Sequence, residues 1–155
     1  MGDQMEKREN LLRQMDETID RFVATYRGIK HPASILFGEW TAKDIVGHIV
    51  FWHESFARNV CDIASGVKPR PLKGKLSDLN QQGVEETRPD TLETLISRLG
   101  SAHRAIQENI LNPGLMLIPY RKGSRDYTPE EHLEIVNRHI TGHLKEIEKA
   151  LRKSN

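Results

Sequence analysis

Three histidines, His48, His139 and His143, have the residue type and the placing to hold one divalent metal ion. His139 and His143 stand four residues apart in a stretch of strong helical periodicity, so both rings leave one helix face with Cβ atoms about 5–6 Å apart. Two imidazoles at that spacing reach a single ion. Val136, Ile140 and Ile147 flank the pair, which puts it on or beside the stripe expected to turn inward. His48 offers a third nitrogen: Ile45, three residues before it, and Trp52, four after, are core candidates, so His48 is expected to face the interior too. Three neutral imidazoles leave positions open on a zinc-like ion, the pattern of a catalytic rather than a closed structural site. The competing account is three separate core histidines, each satisfied by a carbonyl or a water, because unpaired buried polar groups are costly. Spacing and periodicity alone leave the two accounts level.

The other four histidines receive no chemical role. His31 precedes a proline in a loop, and His103 sits between Ala102 and Arg104; both are expected at the surface or its boundary. His53 and His132 call for no explanation of their own. Cys61, the one cysteine, reads as a small buried hydrophobe rather than a nucleophile. Trp52 reads as plain core more readily than as a wall of the site. Arg121, Lys122 and Arg125, just before the last helix, read first as a solvated loop and second as a grip for a ligand's carboxylates.

Four amphipathic helices must position these groups, and no segment shows strand alternation. The first runs from about Asp3 to Tyr26 and ends at Gly28 and His31-Pro32. The second follows Thr41 as N-cap, with Asp44 at N3, and stops at Ser65-Gly66. A long polar connection from about Gly66 to Pro89 comes next, with a short helical turn around Leu76 to Gln82. The third helix is expected to start at Asp90, with Glu93 completing an approximate capping box, and to break at Asn112-Pro113-Gly114. The fourth has the clearest start, with Thr128 at the N-cap, Pro129 at N1 and Glu131 at N3, and it runs to about Arg152. Four such helices predict an all-α four-helix bundle, with a long crossover between the second and third, occupying residues 1–155 as one domain.

The formal net charge of +1 argues against a nucleic-acid partner, which would need a basic face. The basic run Lys68–Lys75 is broken by proline and glycine and reads as a solvated loop. No apolar run approaches the roughly 18 residues of a membrane span. The charged opening Met1–Arg8 lacks the apolar segment of a secretory signal, and a lone cysteine excludes an intrachain disulfide, so a cytoplasmic location is expected.

The run Trp40-Thr41-Ala42-Lys43-Asp44-Ile45-Val46-Gly47-His48-Ile49 resembles the opening of the second helix in the DinB/YfiT-like superfamily of metal-dependent proteins. Tyr127-Thr128-Pro129 through His139-Ile140-Thr141-Gly142-His143 resembles that family's last helix. The family's metal triad is one histidine in the second helix and an H-x-x-x-H pair in the last, which His48, His139 and His143 match. The resemblance spans nearly the whole chain. It implies an up-down-down-up bundle, a bound nickel or zinc ion, a homodimer and a small-molecule substrate. Some members are thiol-dependent S-transferases or isomerases that use bacillithiol, mycothiol or glutathione; a related group protects against a DNA-alkylating natural product. The expected function is therefore a divalent-metal-dependent enzyme that transfers a low-molecular-weight thiol to small electrophiles. No residue is assigned as general base. The alternatives are a non-catalytic, stress-related bundle that binds metal or sequesters a ligand, and an unmetallated helical interaction module.

Overall fold

The computed structural model describes residues 2–154. Among the described residues five α-helices carry the fold: α1 (Gly2–Arg27), α2 (Ala42–Ala64), α3 (Leu76–Thr87), α4 (Leu92–Asn109) and α5 (Pro129–Ser154). Two-residue strands β1 (Leu36–Phe37) and β2 (Trp40–Thr41) form a small antiparallel hairpin ahead of α2, turning at Gly38 with φ +65°. The sequence shows no alternation here because two residues are too few to display one. No helix among the described residues is long and apolar enough to cross a membrane.

Helix starts follow local capping chemistry. Before α2 the Thr41 side chain accepts from the Asp44 N–H at 3.0 Å, and the Asp44 carboxylate accepts from the Thr41 N–H at 3.0 Å. Before α5, Thr128 and Glu131 make the same reciprocal pair at 2.9 and 3.1 Å. Each pair satisfies two backbone donors that a helix N-terminus leaves open. At α4 the cap falls one residue later than expected. Thr91, not Asp90, caps the Thr94 N–H, because the Asp90 carboxylate is taken by Arg98 at 2.7 Å. Glu93 completes no box there and instead faces Arg27.

Cross-helix pairs fix the directions. Arg8 meets Glu130 near the starts of α1 and α5, and Arg21 meets Glu148 near their ends, so these two run parallel. Glu54 meets Arg98 and Cys61 lies beside Asn109, so α2 and α4 are parallel as well. Asp16 meets His103 and Arg27 meets Glu93, so α1 opposes α4. His48 meets His139 and Phe56 stacks on His132, so α2 opposes α5. The result is an up-down-down-up bundle. Its continuous core draws Met15, Phe22, Ile45, Ile49, Leu99, Ile106, Leu133 and Leu144, among others, from all four long helices.

The crossover between α2 and α4 is more ordered than expected. It holds α3, twelve residues long, where the sequence suggests one short turn. Its inward stripe is Leu79, Gly83, Val84 and Thr87, a set too small and polar to register as an apolar face. α3 lies against α2 at two glycines. A Cβ on Gly47 would come within 2.8 Å of the Thr87 Cβ, and one on Gly83 within 2.8 Å of the Phe51 Cβ. The close approach brings Asn80 to the Trp52 indole, which donates to it at 2.7 Å.

Candidate metal centre

The antiparallel crossing of α2 and α5 brings the three expected histidines together. His48 Nε2 lies 3.0 Å from His139 Nε2, which in turn lies 3.1 Å from His143 Nε2. Nitrogens that share one ion at about 2.1 Å stand roughly 3.0 Å apart at a right angle and roughly 3.4 Å apart at the tetrahedral angle. The two short separations suit such an ion, and all three ligand atoms lie within 4.8 Å of one another. Protons alone suit them poorly: His139 Nε2 carries either one lone pair or one hydrogen, yet it faces two other Nε2 atoms. A single cation at the centre satisfies all three lone pairs together.

The surroundings favour neutral imidazoles, the form that binds metal. Burial pushes the His48 pKa down to about 3, and positive charge on His139 or His143 would push the same way. Burial, then the charge of His143, brings His139 down to about 4. The Trp40 ring, presented by β2, packs on the His48 ring at 5.1 Å between centroids. His143 Nδ1 lies 3.5 Å from the Glu146 carboxylate, within ion-pair range but without hydrogen-bond alignment. A carboxylate on the far nitrogen is the usual support of a metal-binding histidine. His48 Nδ1 is buried without a partner.

His48 and His139 stand in the wall of a cavity of about 290 Å³. Trp52 is in that wall, stacked on Tyr120 at 5.1 Å with an interplanar angle of 16°. Ile49, Val136 and Ile140 add apolar surface, and no Lys, Arg, Asp or Glu lines the cavity among the described residues. The cations of the loop before α5 do not reach it. Arg125 pairs with Glu131 at 2.8 Å and lies over the Tyr127 ring, while Arg121 donates to the Gly74 carbonyl. Cys61 is also absent from the wall, and burial, with Asp62 and Glu108 adding, raises its thiol pKa, so the thiol stays protonated.

The remaining histidines separate sharply. His31 is exposed, as expected. His132 is buried, stacks on Phe56 and hydrogen-bonds the Ile118 carbonyl at 2.9 Å, pinning the loop before α5. His103, expected near the surface, is buried: its Nε2 lies 2.7 Å from Asp16 Oδ1, and its Nδ1 lies 3.1 Å from His53 Nε2. His53 is buried too and lines the cavity. The signal for both was present. His53 follows Ile49 by four and precedes Val60 by seven, and His103 follows Leu99 by four and precedes Ile106 by three. Asp16 as the partner of His103 was invisible, since only packing brings α1 to α4.

Three histidines set an expected pH response for the metal-free protein. Burial lowers His48, His53 and His139 well below the ordinary histidine value near 6.5. The unfolded chain then takes up protons that the folded chain refuses. Stability from these groups is full above about pH 6.5 and falls as pH drops toward 4, on the order of 1 kcal/mol per pH unit for each histidine. Urea midpoints measured in chelator at pH 7.5, 5.5 and 4.5 should decline in that order, and less steeply in His53→Gln.

Residues 12–112 match the family model described as "Mycothiol maleylpyruvate isomerase N-terminal domain". The match contains His48 and stops before His139 and His143. Among solved structures, the chain is similar to one described as "Crystal structure of the mycothiol-dependent maleylpyruvate isomerase", with a TM-score of 0.71 and 11% identity. That superposition covers 88% of this chain and 58% of the other, so this chain spans little more than half of that protein. At this identity the likeness speaks for the fold alone. No curated protein matches the chain. The family match across α1 to α4, the up-down-down-up helix order and the shared fold lead to one assignment: this chain belongs to the mycothiol maleylpyruvate isomerase N-terminal domain family, within the DinB/YfiT-like superfamily.

Proposed function

We propose that this protein is a metal-dependent enzyme that uses a low-molecular-weight thiol on a small, uncharged electrophile. The observation that carries the reading is the convergence of three Nε2 atoms, two of them from rings in the wall of an apolar cavity. His48, His139 and His143 would hold a divalent ion, zinc or nickel, through neutral nitrogens. When bound, such an ion stabilises a thiol as thiolate, the nucleophilic form.

The chain's own residues do the rest. Trp40 packs on the His48 ring, and the Glu146 carboxylate stands beside His143 Nδ1. Ile49, Val136 and Ile140 keep bulk water from the face of the cavity nearest the triad, which strengthens electrostatic interactions there. Trp52 and Tyr120 offer a flat apolar surface to the electrophile. The lack of charged lining residues selects against substrates whose buried part carries a formal charge, because an unpaired buried charge is expensive. The family name and the structural neighbour both point to mycothiol as the first thiol to try.

The test is an activity screen of zinc- and nickel-loaded, tag-free protein with mycothiol, bacillithiol and glutathione and a neutral aromatic electrophile such as chlorodinitrobenzene. Turnover above the uncatalysed rate with at least one thiol, lost on chelation, is the expected result. Absence of turnover with all three, while an apolar dye still binds the cavity, would replace this reading with that of a ligand-sequestering protein.

A further inference from the structure

A second polar constellation enters the same cavity from the side of α1 and α4. The Asp16 carboxylate accepts from His103 at 2.7 Å and from the Gln107 amide at 2.9 Å, both on Oδ1. An ionised carboxylate only accepts, so His103 carries its hydrogen on Nε2, and in the neutral ring its Nδ1 is a bare acceptor. That Nδ1 faces His53 Nε2 at 3.1 Å, so His53 must carry its hydrogen on Nε2 as well. The tautomers of both rings are thereby set from the surface inward, and His53 Nδ1 is left with an unshared lone pair. This atom is buried with no partner in the protein, on a residue only 2% exposed that lines the cavity. Buried acceptors are normally paired. What is missing is a donor; Nδ1 has no surface open to the cavity at rest, so a molecule there reaches it by displacing a lining side chain.

We propose that Asp16, His103 and His53 form a proton relay in which His53 Nδ1 takes a proton from the thiol or hydroxyl of a molecule bound in the cavity. The choice of a thiol as donor rests on the function proposed above; the relay's polarity does not. In the transfer the donor's S–H or O–H bond breaks and an N–H bond forms at His53 Nδ1. The hydrogen on His53 Nε2 passes to His103 Nδ1. His53 ends neutral in the opposite tautomer, and the positive charge ends on His103, where the Asp16 carboxylate balances it. Return of the proton to the product along the same path resets both rings.

The arrangement separates a catalytic residue from two positioning residues. His53 is in the cavity wall, His103 is behind it, and the Asp16 side chain is 34% exposed, which gives the relay a wet outer end. The groups facing His53 are His103 from α4, with Asp16 of α1 behind it, and Phe56 on its own helix, on which His132 of α5 stacks. A purely structural role, tying α1, α2 and α4 together, predicts lost stability in variants but no change in proton chemistry.

Two measurements on the full chain decide the matter. Two-bond nitrogen–proton NMR correlations at pH 7.5 should show both His53 and His103 in the Nε2–H form; His53 protonated on Nδ1 would overturn the relay whether or not any thiol is turned over. In an active preparation, His53→Gln should lower kcat about a hundredfold, the scale of a lost proton-transfer group. Asp16→Asn, outside the cavity wall, should lower kcat about tenfold, with KM within about twofold, metal content unchanged and the acidic limb of the kcat–pH profile displaced. An Asp16→Asn enzyme with wild-type kcat and an unmoved acidic limb would reduce the chain of three to a structural tie. If no thiol supports turnover, the function reading fails and the NMR result stands on its own.

Discussion

His139→Ala is expected to strip the protein of metal. His139 Nε2 is the middle of the three nitrogens, 3.0 Å from His48 and 3.1 Å from His143. Its removal leaves two donors and takes away the nitrogen that stands close to both. Loss of a residue that merely supports a metal ligand already costs about 10–100-fold in affinity, and loss of a ligand costs more. Tag-free protein should therefore carry close to one equivalent of zinc or nickel by elemental analysis, and the variant less than about a tenth of that. The fold should survive, because His139 is only half-buried and sits mid-helix, where alanine is the best helix former. Circular dichroism of the variant separates the two effects. Wild-type protein with the same trace metal as His139→Ala would remove the triad as a metal site and leave three packed histidines.

Arg8→Ala should cause the largest loss of stability of any single substitution considered. Arg8 is 4% exposed, close to the start of α1. Its Nε donates to Glu130 at 2.9 Å, and its guanidinium also reaches the carbonyls of Ile110 and Asn112 at 3.0 and 3.2 Å. One side chain thus ties the first turn of α5 and the end of α4 to α1. Truncation leaves the Glu130 carboxylate, 5% exposed and already short of a partner at Oε2, buried beside an Ile110 carbonyl that has lost its Arg8 donor. Breaking a buried pair from one side costs about 3–5 kcal/mol, a large share of a domain's usual 5–15 kcal/mol. Urea unfolding should show that loss for Arg8→Ala. The double variant Arg8→Met/Glu130→Leu should recover part of it, because no charge is then stranded. Equal destabilisation of the single and double variants would place the effect in packing rather than in the stranded carboxylate.

What the amino-acid pattern reveals is set by how local each feature is. The starts of α2 and α5 are legible because a capping box lies within four consecutive residues. The four apolar stripes are legible because each helix repeats its own. α3 escapes notice because Gly83 and Thr87 face inward where large apolar residues would have announced a helix. Within the site, the pairing of His139 with His143 follows from one helix, whereas their meeting with His48 depends on how α2 crosses α5. Family resemblance, rather than periodicity, supplied that crossing. The relay lies beyond both: His53 and His103 sit on their helices' inward stripes, but nothing in the residues near Asp16 says that α1 will turn this carboxylate toward α4. Arg8 is similar, one cation in a charged opening segment until tertiary packing encloses it.

The cavity wall is divided in its origins. The triad stands on α2 and α5, whose register is held by the core. The surface opposite comes partly from connections, with Leu76 and Asn80 from the crossover and Pro119 and Tyr120 from the loop before α5. Reactivity and selectivity are therefore written on separable stretches of chain. Substitutions confined to Leu76, Asn80, Pro119 and Tyr120 would redraw what is admitted without touching a residue of the triad, so relatives that share the triad need not share a substrate.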